Sequence, residues 1–110
     1  MSKPAVRYDI YLPLRYPDGR EVEPGKYRAI EAELIYRFGG VTSVKQEFPL
    51  RGQWQFGGEV ITDEIIVIMS INFEPRLDED EVYLQELKER LKEEFEQQDI
   101  LITIQELRVV

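Results

Sequence analysis

Apolar residues recur at helical spacing in two stretches of this chain and at every second position in four others. The order is strand, helix, strand, strand, helix, strand, and that order is the strongest constraint on the fold. Each helical stretch has a single apolar stripe, so each can cover one side of a sheet. Right-handed crossovers then put both helices on the same side.

The segments read as follows. Val6, Tyr8, Ile10, Leu12 and Leu14 alternate with Arg7, Asp9, Tyr11 and Arg15, which predicts a first strand over 5–15 with one buried face. Tyr16-Pro17-Asp18-Gly19 supplies turn chemistry. Pro24 suits the first turn of a helix, Tyr27, Ile30, Leu34, Ile35 and Phe38 form its stripe, and Gly39-Gly40 ends it. Thr42 to Phe48 is strand-like, Pro49 interrupts it, Gly52 to Phe56 resumes it, and Gly57-Gly58 suits a hairpin turn. Val60 to Phe73 is apolar on both faces at Ile65 to Met69, the mark of a central strand. Asp78 to Gln98 is the second helix, with Asp78 and Glu81 as a capping box, a Glu86–Arg90 pair, and Leu84, Leu87, Leu91 and Phe95 as its stripe. A last strand runs from Ile100 to about Val109. The expected class is α+β: a ferredoxin-like βαββαβ two-layer sandwich, with an antiparallel sheet, two helices on one face, and the first and third strands central. With 110 residues, the expectation is one domain over 1–110.

The chain contains no Cys and no His, and its net charge is −8. Disulfides, thiolate nucleophiles, Cys or His zinc sites and Ser-His-Asp triads are thereby excluded. The acidic balance argues against phosphate-backbone recognition, although Arg7, Arg15, Arg20, Lys26, Arg28 and Arg37 cluster in the first third. No leader-like apolar stretch opens the sequence and no run is long enough to span a bilayer, so the expected address is cytoplasmic.

In the expected fold one face of the sheet has no helix over it. The period-two pattern assigns Tyr11, Ile66, Ile68 and Leu101 to that face, with Trp54 joining them. Such an apolar patch marks an interface or a ligand groove. The alternative is that the segment Tyr16 to Glu23 folds across it.

Other chemistry is weaker. Asp78, Glu79, Asp80 and Glu81 lack the spacing of a calcium loop and read as acid at a helix start. Gly39-Gly40-Val41-Thr42 follows a helix, whereas a phosphate-cradling loop precedes one. No catalytic, cofactor or metal residues are assigned.

Phe38-Gly39-Gly40-Val41-Thr42 and Gly52-Gln53-Trp54, with Asp63-Glu64 at a strand start, resemble a family of small bacterial proteins of unknown function. That resemblance implies a ferredoxin-like fold and brings no catalytic residue with it.

The leading expectation is a non-enzymatic assembly module that associates with itself as a homodimer through the open face, with a protein partner as a further possibility. Its interface residues are Tyr11, Trp54, Ile66, Ile68 and Leu101. The alternative is a small-molecule binder or cofactor-independent enzyme of the dimeric α/β-barrel type. The two differ in their polar groups. A module needs a flat apolar face with no convergent polar side chains, and an enzyme needs a closed pocket with at least two, from among Arg7, Asp9, Tyr11 and Gln53.

Overall fold

The structure is a computed structural model that describes the backbone of residues 1–44, 50–56 and 59–110; side chains are described for 1–41 and 65–110. Seven elements follow in order: β1 (Lys3–Pro13), α1 (Pro24–Phe38), β2 (Thr42–Val44), β3 (Leu50–Phe56), β4 (Glu59–Asn72), α2 (Leu77–Glu94) and β5 (Leu101–Val109). The class is α+β, as expected. One sheet runs β2-β4-β1-β5, with β3 also paired to β4, and every pairing is antiparallel. The expected central strands, β1 and β4, are central. Where one interrupted strand was expected, β2 and β3 stand as two. The expected Pro49 break, the rest of the strand to Phe48, and the Gly57-Gly58 turn lie outside the described residues.

Both helices pack on the same face. Ile30, Leu34 and Phe38 of α1 and Leu84, Leu87 and Leu91 of α2 share one buried cluster with Val6, Tyr8, Ile10 and Leu12 of β1. Glu33 ties the helices together by accepting from both Arg90 Nη atoms (2.7 and 2.6 Å) and from the Tyr83 hydroxyl. Arg90 therefore pairs with Glu33 of α1 rather than with Glu86. Full burial of a large apolar side chain contributes about 1.5–3 kcal/mol, so this cluster is the main source of stability. Ile35, expected in the stripe of α1, is half exposed.

The connection from β1 to α1 closes on itself. Tyr16 N–H donates to the Arg20 carbonyl, Gly19 N–H donates to the Tyr16 carbonyl, and Gly19 takes φ 93°, which glycine adopts without a side-chain clash. Tyr16 and Val22 from this segment enter the helix-side core, so it does not cover the open face. Gly39 caps α1 at φ 89°, its N–H donating to the Ile35 carbonyl.

The faces of β4 are the reverse of the sequence reading. Ile68 stands opposite Ile10 and Ile66 opposite Leu12, on the helix-covered side, and Ile68 is completely buried. Ser70 and Asn72 share that side. The sequence reading turned them outward because they are polar. They turn inward because each has a partner there: Ser70 Oγ donates to the Gly40 carbonyl (2.7 Å) and Asn72 Nδ2 donates to Asp80 (3.1 Å). The open face instead carries Ile65, Val67, Met69 and Ile71.

Candidate functional site on the open sheet face

Polar side chains are buried in two places, and the two differ in how well their hydrogen bonds are met. The first lies where α1 stops and α2 starts. Asp80 retains 5% of its surface. Its Oδ2 accepts from the Arg76 backbone N–H (2.8 Å), Asn72 Nδ2 (3.1 Å) and the Tyr8 hydroxyl (3.3 Å). Arg37 Nη2 stands 3.5 Å from the other oxygen. Burial, followed by the nearby Asp80 charge, holds the Tyr8 phenol protonated above its usual range, while a hydrogen bond from Asn72 works the other way. The bond from Arg76 N–H to Asp80 satisfies one orphan donor of α2. Asp80 thus does what the sequence reading gave to Asp78 and Glu81, and α2 begins one residue earlier than expected. Every member of this network has a partner, so it fastens the helix start to the sheet.

The second place is the middle of the open face. β1 is the central strand, and its odd-numbered side chains face away from the helices. Arg7 Nη2 donates to Asp9 Oδ2 at 3.0 Å. Asp9 retains 7% of its surface, although no helix covers it. Its cross-strand neighbours are Met69 on β4 and Thr103 on β5. Arg7 stands between Ile71 and Gln105, and Tyr11 between Val67 and Leu101. Asp9 Oδ1 and Arg7 Nε are buried without a hydrogen-bond partner. Leaving such a group unmet costs about 1–3 kcal/mol, and more when it is charged.

Of the residues expected at the open face, Tyr11 is there, half buried, and Leu101 is there, 56% exposed. Ile66 and Ile68 are not, because the register of β4 on β1 puts them in the core. Trp54 pairs with Ile61 through the backbone of β3, and its side chain lies outside the described residues, as does that of Gln53. Arg7 and Asp9, two of the four polar residues expected in an enzyme's pocket, do converge, on the open face rather than in a closed pocket. The Tyr8–Asn72–Asp80 network was missed. Its one signal is a tyrosine on the core face of a strand, whose hydroxyl must find a partner once buried.

No protein-family model matches the chain, and no curated protein matches it in sequence. Two solved structures share its fold. A phage SAM lyase in complex with S-methyl-5'-thioadenosine is 18% identical, with a TM-score of 0.67 over 96% of this chain and 89% of that one. A phage SAM lyase in the apo state is 22% identical, with a TM-score of 0.62 over 96% of this chain and 81% of that one. At these identities the likeness is one of fold. It corrects three expectations: the resemblance to a family of unknown function, the reading as a non-enzymatic assembly module, and the inclination away from an enzyme. Among the described residues, no helix is long and apolar enough to cross a membrane.

Proposed function

We propose that this chain is an enzyme that binds a sulfonium nucleoside of the S-adenosylmethionine type on its open sheet face and releases a methylthioadenosine from it. The observation that carries the proposal is the Arg7–Asp9 ion pair at 3.0 Å, a largely buried carboxylate beside a guanidinium that keeps 36% of its side-chain surface, in the middle of a face that no helix covers. The fold shared with phage SAM lyases supplies the substrate class.

The chemistry suits a chain without His or Cys. A sulfonium leaves as a neutral thioether, so its departure requires neither a general acid nor a metal. The substrate's own carboxylate can attack the carbon γ to it: the C–O bond forms, the C–S bond breaks, and the electron pair goes to sulfur. What the protein must supply is orientation in a dry site, which is worth several orders of magnitude in rate. Asp9 attracts the cationic end of the substrate, and Arg7 orients its carboxylate. Met69, Val67 and Ile71 supply apolar wall for the nucleoside.

A flat face exposes too much of a ligand, so the site needs a cover. A second copy of this chain, laid face to face, is the cover we propose. We further read β2 and β3 as the two parts of one interrupted strand, because both pair antiparallel with β4. The plan is then a single ferredoxin-like domain with a split edge strand. A cytoplasmic address fits a chain with no cysteine.

Calorimetric titration with S-adenosylhomocysteine, which keeps the carboxylate and ammonium but has no sulfonium to leave, tests the binding step. Saturable binding that Arg7→Gln weakens about tenfold, the worth of a charge-assisted hydrogen bond, is the expected result. No heat with folded wild-type protein would overturn the reading.

A further inference from the structure

A cavity of about 580 Å³ opens at the end of the sheet where α1 stops and α2 starts, and of its lining the reaction proposed above uses only Ile71. This volume is ordinary for a small-molecule site. Two aromatic side chains stand at it fully or largely in water: Tyr36 at 94% exposure and Phe73 at 57%. Exposed rings flanking a cavity offer stacking surface at little cost in conformational entropy.

The charges of the lining decide what enters. Arg37 and Arg76 face three carboxylates, those of Glu74, Glu79 and Asp80. A phosphate or other pure anion is therefore disfavoured. Asp80 is saturated by Tyr8, Asn72 and the Arg76 N–H. Arg76 and Glu79 pair with one another at 3.7 Å. Two groups of opposite charge are left under-used. Arg37 has one long contact, 3.5 Å to Asp80, while its guanidinium lies 4.3 Å above the Tyr83 ring and its side chain is 34% exposed. Glu74 is exposed and forms no ion pair among the described residues, while its backbone N–H is held by Asn72 Oδ1 at 3.0 Å.

One cation, one anion and two rings complement a zwitterion with a flat apolar side chain. We propose that this cavity binds a free aromatic α-amino acid, its carboxylate on Arg37, its ammonium on Glu74 and its ring against Phe73 and Tyr36. The cavity adjoins the Arg7–Asp9 face at Ile71, which lines it and pairs with Arg7 in the sheet, but the contacts assigned to Arg37 and Glu74 do not rest on the reaction proposed on that face.

The test is a titration followed by NMR chemical shifts, with L-phenylalanine, phenethylamine (no carboxylate) and 3-phenylpropionate (no ammonium) as probes. Phenylalanine saturates, and each truncated probe binds about tenfold more weakly, as the loss of one charge-assisted contact requires. Arg37→Gln and Glu74→Gln each weaken phenylalanine to a similar degree. Glu74 is exposed, so Glu74→Gln stays folded even where Arg37→Gln loosens the helix start. Asp9→Asn leaves phenylalanine binding unchanged. Absence of saturation, binding indifferent to Glu74→Gln, or binding lost in Asp9→Asn would each overturn the proposal.

Discussion

Asp9 and Asp80 are both more than nine-tenths buried, at 7% and 5% exposure, and they are opposites in what surrounds them. Asp80 has three donors on one oxygen and an arginine near the other. Removing it strands a phenol, an amide and a helix N–H together. Asp80→Ala is predicted to lower unfolding free energy by about 3 kcal/mol in a urea titration, the usual cost of breaking a buried, charge-assisted network. Asp9 has one side-chain donor among the described residues, Arg7 Nη2. A pair of this kind is often replaced by apolar residues at no loss, or with a gain of about 1–4 kcal/mol. The double variant Arg7→Met, Asp9→Leu is therefore predicted to melt at or above the wild-type temperature while losing binding of S-adenosylhomocysteine, which carries the carboxylate and ammonium the pair would hold. A lower melting temperature would show that the pair serves the fold.

Among the elements, the helices and the central place of β4 were legible, and the facing of β4 was not. α1 announces its start with Pro24 and its end with Gly39, and the structure has both. The stripe Leu84, Leu87, Leu91, Phe95 is buried throughout. β4 defeats pattern reading because Ile65 to Met69 are apolar on both faces. Its facing is fixed by pairing with β1, a contact distant in sequence that no local period records. Polar Ser70 and Asn72 then mislead, since their inward direction depends on Gly40 and Asp80. Helix-to-helix contact was equally invisible: Arg90 has Glu86 four residues before it, yet it takes Glu33 across the layer. That choice has a pH signature. The Arg90 hydrogen bond, the largest cause, holds the Glu33 carboxyl below its ordinary value of 4.5, despite an opposing burial effect. A depressed folded value stabilises above the unfolded value and is lost as pH falls through the folded one. Stability should therefore drop as pH falls below about 4.5, and Glu33→Gln should flatten that part of the profile in thermal melts. A profile unchanged by Glu33→Gln would remove the helix clamp from the account.

For the whole molecule, the face that the helices leave open is the organising fact. The sequence anticipated such a face, and Arg7 and Asp9 were among the four residues from which an enzyme's pocket was expected, though not on this face. It misassigned the isoleucines. The consequence is measurable: Ile68→Asp places a charge in the core and is predicted to unfold the chain, whereas Val67→Asp, one residue away on the open face, is predicted to leave it folded. Circular dichroism separates the two. If Val67→Asp also shifts a wild-type oligomer to monomer in light scattering, the second copy is the cover. If a wild-type oligomer persists in folded Val67→Asp, the face-to-face arrangement fails.

The central claim is that the open face cleaves a sulfonium nucleoside through the placement of Arg7 and Asp9. The direct measurement is mass-spectrometric detection of 5'-methylthioadenosine after incubating S-adenosylmethionine with purified protein, alongside Asp9→Asn. The account predicts product accumulating in proportion to wild-type protein above the spontaneous rate, and a loss of about a hundredfold or more in folded Asp9→Asn, of the size seen when a positioning or charge-stabilising contact is removed. Product formation at the spontaneous rate with folded wild-type protein, or full activity in Asp9→Asn, would contradict it.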